Sequence, residues 1–332
     1  MIPLGILPTP AEVRAAAARI AGMVVHTPLI PSPALSAIAG GEVLLKLECT
    51  QVGGSFKIRG ALNAVLSLGP EARARGVGAS AAGTHGRGIA IAAARLGLVA
   101  TVFVPSTAPA IKRDGIVAHG AHVDATSASY DDAEAAARQF SERTGATFVS
   151  PCTGRTLLAG AGTIAMEVLD DLPTLRSIVV CVGGGGLAGG IGGYLRGMAP
   201  AVRIFGAQSV RTNAMALALA SRQPTEIPDL ITLADGLSGL VDAEMLAQGQ
   251  AALDGIVTVE EEEIAKAIAW AHREHGLTVE GAGGVGIAAI HSGRLKPQTF
   301  PTVVTVSGAN IDALQWNVLI ERYQHATATF QR

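Results

Sequence analysis

Two short stretches of the sequence bring together residue types with evident chemical uses. The first is Gly53-Gly54-Ser55-Phe56-Lys57-Ile58-Arg59-Gly60-Ala61, a lysine hemmed by glycines, a serine and a phenylalanine at the start of a helical pattern. A lysine at a polar loop end beside an apolar patch can have a lowered pKa and form a Schiff base with an aldehyde. Without context, a single lysine is more often a solvated surface charge. The second stretch is Gly183-Gly184-Gly185-Gly186-Leu187-Ala188-Gly189-Gly190, which follows the apolar run Ser177–Val182. A glycine turn between strand and helix lets backbone N–H groups approach an anion, and the helix N-terminus adds a favourable dipole. The physics is that of a phosphate cradle, with a merely tight strand–helix junction as the alternative. A dinucleotide fingerprint fits poorly, because Val202–Ala207, about 20 residues further on, holds no carboxylate for a ribose.

The remaining composition says what kind of chain must position these groups. The 332 residues carry 25 Lys+Arg and 27 Asp+Glu, a net charge of −2. Charged residues are 16% and aromatics 4%, while hydrophobic residues reach 49%, so the core is built from Ala, Val, Leu and Ile. That balance excludes a disordered chain, a strongly basic nucleic-acid surface and a disulfide-stapled module. Cys49, Cys152 and Cys181 lie far apart, form no metal motif, and suit a reducing cytoplasm. Near the N-terminus, Glu12, Arg14 and Arg19 stand where a signal peptide needs an apolar core. The longest uncharged stretch, Ser177–Leu195, contains eight glycines, which favours a strand, a loop and a helix start over a membrane span.

Short β-branched runs alternate with alanine-rich helical patterns. Val43–Leu47, Ala100–Val104, Ser177–Val182 and Thr302–Val306 read as strands; Gly88–Leu96, Tyr130–Arg143, Thr163–Leu169 and Glu260–His275 read as helices. Such alternation predicts βαβ units and an α/β fold of two doubly wound, mostly parallel sheets, with the active site in the cleft between them. The charge run Glu260–Glu263 fits the first turn of a helix. The expected division is a large domain from residues 1–60 and 150–332 and a small one from 61–149.

With both motifs in view, the chain resembles the serine/threonine dehydratase family of pyridoxal-phosphate enzymes (fold type II, tryptophan synthase β-like). Ser55-Phe56-Lys57-Ile58-Arg59-Gly60-Ala61 is similar to that family's cofactor lysine motif, Gly183–Gly186 to its phosphate loop, and Ser307-Gly308-Ala309-Asn310 to its Ser-Gly-Gly-Asn. Thr27-Pro28-Leu29, Ala159-Gly160-Ala161-Gly162-Thr163 and Ala234-Asp235-Gly236 follow in the family's order, so the resemblance runs from about Ala11 to Leu319. It implies pyridoxal 5'-phosphate as cofactor, with Lys57 holding it covalently and then removing the substrate Cα proton. Phe56 would lie against its ring, Gly183, Gly184, Gly185, Gly186 and Leu187 would wrap its phosphate, and Ser307 would bond its pyridine nitrogen. Glu280 would sit near the ring. A hydroxyl cannot keep that nitrogen firmly protonated as a carboxylate does, which suits β-elimination over a long-lived carbanion. Ser80, Ala81, Gly83, Thr84 and His85 match the loop that takes the substrate carboxylate, His85 being expected as a structural hydrogen-bonder.

Several positions depart from the family pattern. Thr84 replaces an asparagine that donates to the cofactor's phenolic oxygen, and its shorter hydroxyl is expected to turn to a backbone carbonyl. Ala82 stands where racemases carry a serine, which argues against racemisation. Gln208 and the segment Thr212–Ala214 supply no carboxylate where relatives bind a divalent cation, so no metal is expected. Arg87 and Arg155 are unusual, serving either an acidic substrate group or the solvated surface. The implied enzyme is a cytoplasmic, homodimeric ammonia-lyase that turns a small β-hydroxy amino acid, such as threonine or serine, into a 2-oxo acid and ammonia, with no nucleic-acid or membrane partner. The alternatives are a dehydratase of 3-hydroxyaspartate, phenylserine or a hydroxyectoine-derived amino acid, a β-replacement enzyme, a nicotinamide oxidoreductase, and a non-catalytic cofactor-binding protein. Because the chain ends soon after Ser307, feedback through a C-terminal regulatory domain is not expected.

Overall fold

A computed structural model describes residues 5–81 and 83–323. These described residues form the expected α/β architecture, with ten strands in two sheets. β1 (Leu29–Pro31), β2 (Val43–Lys46), β7 (Ser177–Cys181), β8 (Arg203–Ser209), β9 (Gly255–Val259) and β10 (Thr302–Thr305) make a six-stranded sheet ordered β1-β2-β10-β7-β8-β9. Only the β1–β2 pair is antiparallel; the other neighbours run parallel. β3 (Val77–Ser80), β4 (Ala100–Pro105), β5 (His122–Ser127) and β6 (Thr147–Phe148) make an all-parallel sheet ordered β5-β4-β3-β6.

The four strands legible in the sequence form within a residue or so of their expected limits, being short apolar runs whose every residue, or nearly so, is buried. The helix expected at Glu260–His275 spans Glu261–His275, with Glu260 and Glu263 closing a capping box at its start. The helix expected at Thr163–Leu169 begins eight residues earlier, at Arg155. Its glycines are packing surface. A Cβ at Gly160 would strike the backbone of Arg59, and one at Gly162 would lie 2.7 Å from the Gly190 carbonyl. The three helices Lys57–Leu66, Arg155–Asp171 and Gly186–Met198 therefore approach through bare backbone. That approach brings the lysine motif and the tetraglycine to the same place.

A buried charge cluster fixes this junction. Arg59, with no exposed surface, donates from Nε and Nη2 to both oxygens of Glu48 at 2.8 Å each. Its Nη1 and Nη2 also reach Glu167 at 2.6 and 2.9 Å, and Nη1 reaches Thr163 Oγ1 at 3.1 Å. Lys46 Nζ, fully buried, donates to Glu167 at 2.6 Å and to the Thr27 carbonyl at 2.8 Å, while the Thr27 hydroxyl donates to Glu48 at 2.6 Å. Arg59 and Lys46 meet Glu48 and Glu167, with Asp171 4.0 Å from Lys46, and each of the two glutamates accepts three hydrogen bonds, so the cluster tolerates burial. Burial disfavours the Arg59 charge, but Glu48 and Glu167 outweigh it and raise its pKa. Removing one partner leaves the others buried and uncompensated. Arg59→Ala is therefore expected to cost about 3–5 kcal/mol of stability, read from denaturant unfolding; a loss under about 1 kcal/mol would show the cluster to be dispensable.

Candidate active site

The strand ends carry the chemistry. Lys57 opens its helix directly after two 3-10 turns, Glu48–Thr50 and Val52–Gly54. Ser307 and its neighbours follow β10 and zip against that segment. Phe56 N–H donates to Ser307 O at 3.1 Å, Ala309 N–H to Gly54 O at 2.9 Å, and Asn310 Nδ2 to Gly53 O at 3.0 Å, with an antiparallel bridge between Ser55 and Gly308. Two motifs some 250 residues apart in sequence thus become one short ladder. Gly308 admits no side chain here, because a Cβ would run into the Glu280 carboxylate.

The tetraglycine follows β7 and opens the helix Gly186–Met198, with Gly185 left-handed at φ +89°. A Cβ on Gly183 would sit 3.0 Å from Leu237 Cα, and one on Gly184 only 2.7 Å from Cys152 Sγ. Leu237 belongs to the turn Asp235–Leu237, which accounts for the Ala234-Asp235-Gly236 motif as a wall of the site. The third wall is the loop after β3, where Thr84 starts the helix Thr84–Leu96.

One cleft, bounded by segments that follow strands of both sheets, is lined by Phe56, Lys57, Ala81, Gly83, Thr84, His85, Gly183, Gly184, Gly185, Gly186, Leu187, Glu280 and Ser307. Ser80 is not brought to it. Its hydroxyl is fully buried behind the loop, 3.5 Å from the Tyr130 hydroxyl. Ala82 lies outside the described residues. The cleft also takes in Lys112, Tyr130, Cys152 and Cys181, which sequence reasoning passed over. Lys112 and Tyr130 each follow the carboxyl end of a strand, where ligands of parallel sheets bind, and that rule could have found them.

Lys57 Nζ donates to the Pro151 carbonyl at 3.2 Å and lies 5.2 Å from the centre of the Phe56 ring. No carboxylate among the described residues pairs with it, so the amine is held in place without being neutralised. Lys112 Nζ is ion-paired with Asp235, joining the helix Ala110–Val117 to the turn over Gly183. The His85 Nε2–H donates to the Val149 carbonyl at 3.1 Å; burial, aided by the Lys57 charge, lowers its pKa to about 3. It is a neutral structural group, as expected. The Thr84 hydroxyl makes no hydrogen bond to a backbone carbonyl among the described residues, contrary to expectation, and stays available to the cleft. Arg155 is engaged at the surface by Glu12, away from the cleft, which removes it from substrate binding. Arg87 donates to Asn310 Oδ1 at 3.0 Å, in a neighbouring hollow that shares Gly83, Thr84 and Lys112 with the cleft. Gln208 uses its amide internally, donating to Thr212 O at 2.8 Å and accepting from Ala216 N–H at 2.9 Å.

The chain belongs to the family of pyridoxal-phosphate dependent enzymes, whose pattern matches residues 20–308. It is 37% identical over 305 residues to an L-threonine ammonia-lyase of Thermotoga maritima, covering 91% of this chain and 75% of that one. It is 31% identical over 317 residues to a serine racemase of Oryza sativa, covering 94% of each. The solved structure of maize serine racemase superposes with a TM-score of 0.89 at 29% identity, covering 96% of this chain and 99% of that one. Pyridoxal phosphate is therefore the cofactor, and the cleft fits it: a glycine cradle at a helix N-terminus for the phosphate, an unneutralised lysine for the aldehyde, and a hydroxyl for the ring nitrogen.

Burial lifts the Glu280 carboxyl from its ordinary 4.5 to about 7, with Lys112 opposing and Asp235 adding to the rise. The folded protein then holds an extra proton between those values. This contribution is complete below about pH 4.5 and is lost as pH rises through about 7, amounting to about 3 kcal/mol at most. The melting temperature of the holoenzyme is accordingly expected to fall by several degrees more between pH 5.5 and 8.5 than that of Glu280→Gln. An equally steep fall in the variant would assign the titration to another group.

Proposed function

We propose that the protein is an ammonia-lyase acting on a small β-hydroxy amino acid of the threonine and serine class, releasing a 2-oxo acid and ammonia. The observation that carries this reading is Lys57 itself, an amine fixed only by a backbone carbonyl and facing the glycine cradle across one cleft. The ammonia-lyase relative supports the reaction class. Bound pyridoxal phosphate supplies the aldehyde and the electron sink that acidify the substrate Cα–H.

In this reading Lys57 holds the cofactor and its Nζ then accepts the Cα proton. Gly183, Gly184, Gly185, Gly186 and Leu187 bind the phosphate, Phe56 packs on the ring, and Ser307 meets its nitrogen. The backbone of Gly83, Thr84 and His85 receives the substrate carboxylate at the start of its helix, with the Thr84 hydroxyl beside it. Lys112, tied to Asp235, screens that edge of the cleft from water. The proposed division places the four-stranded sheet in a small domain, 61–149, and the six-stranded sheet in a large one. Homodimerisation and a cytoplasmic location belong to the same reading, supported by the family resemblance and three unpaired cysteines. Among the described residues, no helix is long and apolar enough to cross a membrane.

The racemase relatives favour one competing outcome, inversion at Cα. Inversion needs a second proton-handling group on the opposite face of the carbanion, and Ala82 has none to offer. Ammonia and 2-oxo acid release across a panel of β-hydroxy amino acids tests the reading, with chiral analysis of the remaining substrate. Elimination is expected to exceed racemisation by at least tenfold, and efficient formation of the D-isomer would overturn that assignment. Lys57→Ala is expected to lose the visible absorbance of the bound cofactor and to lower turnover by more than about a thousandfold. Comparable turnover in that variant would remove Lys57 from the chemistry.

A further inference from the structure

β7 and β10 are parallel neighbours, so the residues at their carboxyl ends emerge at the same edge of the six-stranded sheet. Cys181 closes β7 and Ser307 lies just beyond β10. Their side chains meet there: Cys181 Sγ–H donates to Ser307 Oγ at 3.2 Å. Both residues line the cleft while remaining 4% and 3% exposed. A hydroxyl has one proton to give and two lone pairs to fill, whereas a thiol is a weak donor and a weak acceptor. Among the described residues, Cys181 is the one side-chain partner of the Ser307 hydroxyl. With the S–H on a lone pair of Oγ, the hydroxyl proton has no acceptor among the described residues and is left for the cleft. Burial pushes the Cys181 thiol up to about 11, with Ser307 and Lys57 opposing, so the thiol keeps its proton at neutral pH.

We propose that Cys181 is a positioning residue that fixes Ser307 as a hydrogen-bond donor toward the cofactor's ring nitrogen. No proton is transferred in this arrangement. The thiol proton stays on sulfur, the serine proton stays on oxygen, and the ring nitrogen receives a hydrogen bond without a charge. Cys181 thereby helps to keep the ring a neutral pyridine, the weaker electron sink. This inference rests on the reading of Ser307 as the ring partner, and its test separates the two.

The test uses holoenzyme carrying Cys181→Ala, Cys181→Ser, Ser307→Ala and the Cys181→Ala/Ser307→Ala pair. The readouts are the absorption and fluorescence maxima of the bound cofactor and its rate of loss on dialysis into cofactor-free buffer. Cys181→Ala is expected to shift the maxima and speed cofactor loss about two- to fivefold, the scale of one modest hydrogen bond. Cys181→Ser, which keeps a donor on a small side chain, is expected to restore both. In the Ser307→Ala background, Cys181→Ala should add nothing, as a pair acting through one bond requires. A wild-type spectrum in Cys181→Ala beside a shifted one in Ser307→Ala would overturn the role of Cys181 and leave that of Ser307 standing. Unshifted spectra in both would overturn the reading of Ser307 and the inference with it. A Cys181→Ala effect that persists at full size without the serine would mark it as packing and reject the proposal.

Discussion

Arg59 lies two residues beyond the lysine of the site, and its guanidinium is the point to which three segments of chain are tied. Glu48 comes from the turn before the lysine loop, Glu167 from the helix Arg155–Asp171, and Lys46, through Glu167, from the central part of the large sheet. A bidentate guanidinium accepts partners only in its own plane, so these contacts set orientation as well as distance. The first turn of the lysine helix cannot roll without breaking charge-assisted bonds in a water-free interior. This is an expensive way to hold a helix, since apolar packing of equal volume is often as stable. What it provides is a fixed direction for the Lys57 side chain, one helical turn away from a cavity that must stay open for a ligand.

The rest of the site follows from where parallel strands end. β10 delivers Ser307 and Gly308, β7 delivers Cys181 and the tetraglycine, and β3 delivers the loop into Thr84. Parallel strands present all their carboxyl ends on one edge, and the helices that follow present their N-termini to it. The two sheets thus offer helix N-termini to the cleft at two separate places, the glycine cradle after β7 and the start of the helix Thr84–Leu96 after β3. On the proposed reading, the phosphate and the substrate carboxylate take one each.

Much of this was legible because chemistry imposes residue types that packing alone does not. The tetraglycine, the lysine loop and the Ser307–Asn310 segment stand out against an Ala- and Val-rich background, and their order along the chain identified the family. The true start of the helix Arg155–Asp171 was not legible, because close packing against Arg59 and Gly190 offsets the propensity penalty of Gly160 and Gly162. Ser80 misled as well. It is the last residue of β3 and is fully buried against Tyr130, so that Tyr130 and Ala81, not Ser80, line the cleft. The edge strands were missed because they are short or half-exposed and lack an apolar run, β5 having no fully buried residue at all. Lys112, Tyr130 and Cys181 carry no motif; only the register of the strands before them puts them in the site.

The electrostatics of the cleft divide it into two halves, and the division bears on which reaction it favours. At the cradle end, the N–H groups at the start of the helix Gly186–Met198 create a positive field suited to an anion. At the ring end, the groups are a serine hydroxyl, a buried thiol and a carboxyl that burial has raised to about 7, so about half of it is neutral at physiological pH. On the proposed reading, the group that meets the ring nitrogen is the Ser307 hydroxyl, which carries no charge. A full negative charge there would hold a proton on that nitrogen and stabilise a carbanion long enough for reprotonation on either face. Without one, the carbanion gains most by expelling a β-substituent at once. On the proposed reading, a weak sink favours elimination over a long-lived carbanion, and the residue type at position 82, an alanine with no proton-handling group, argues further against inversion.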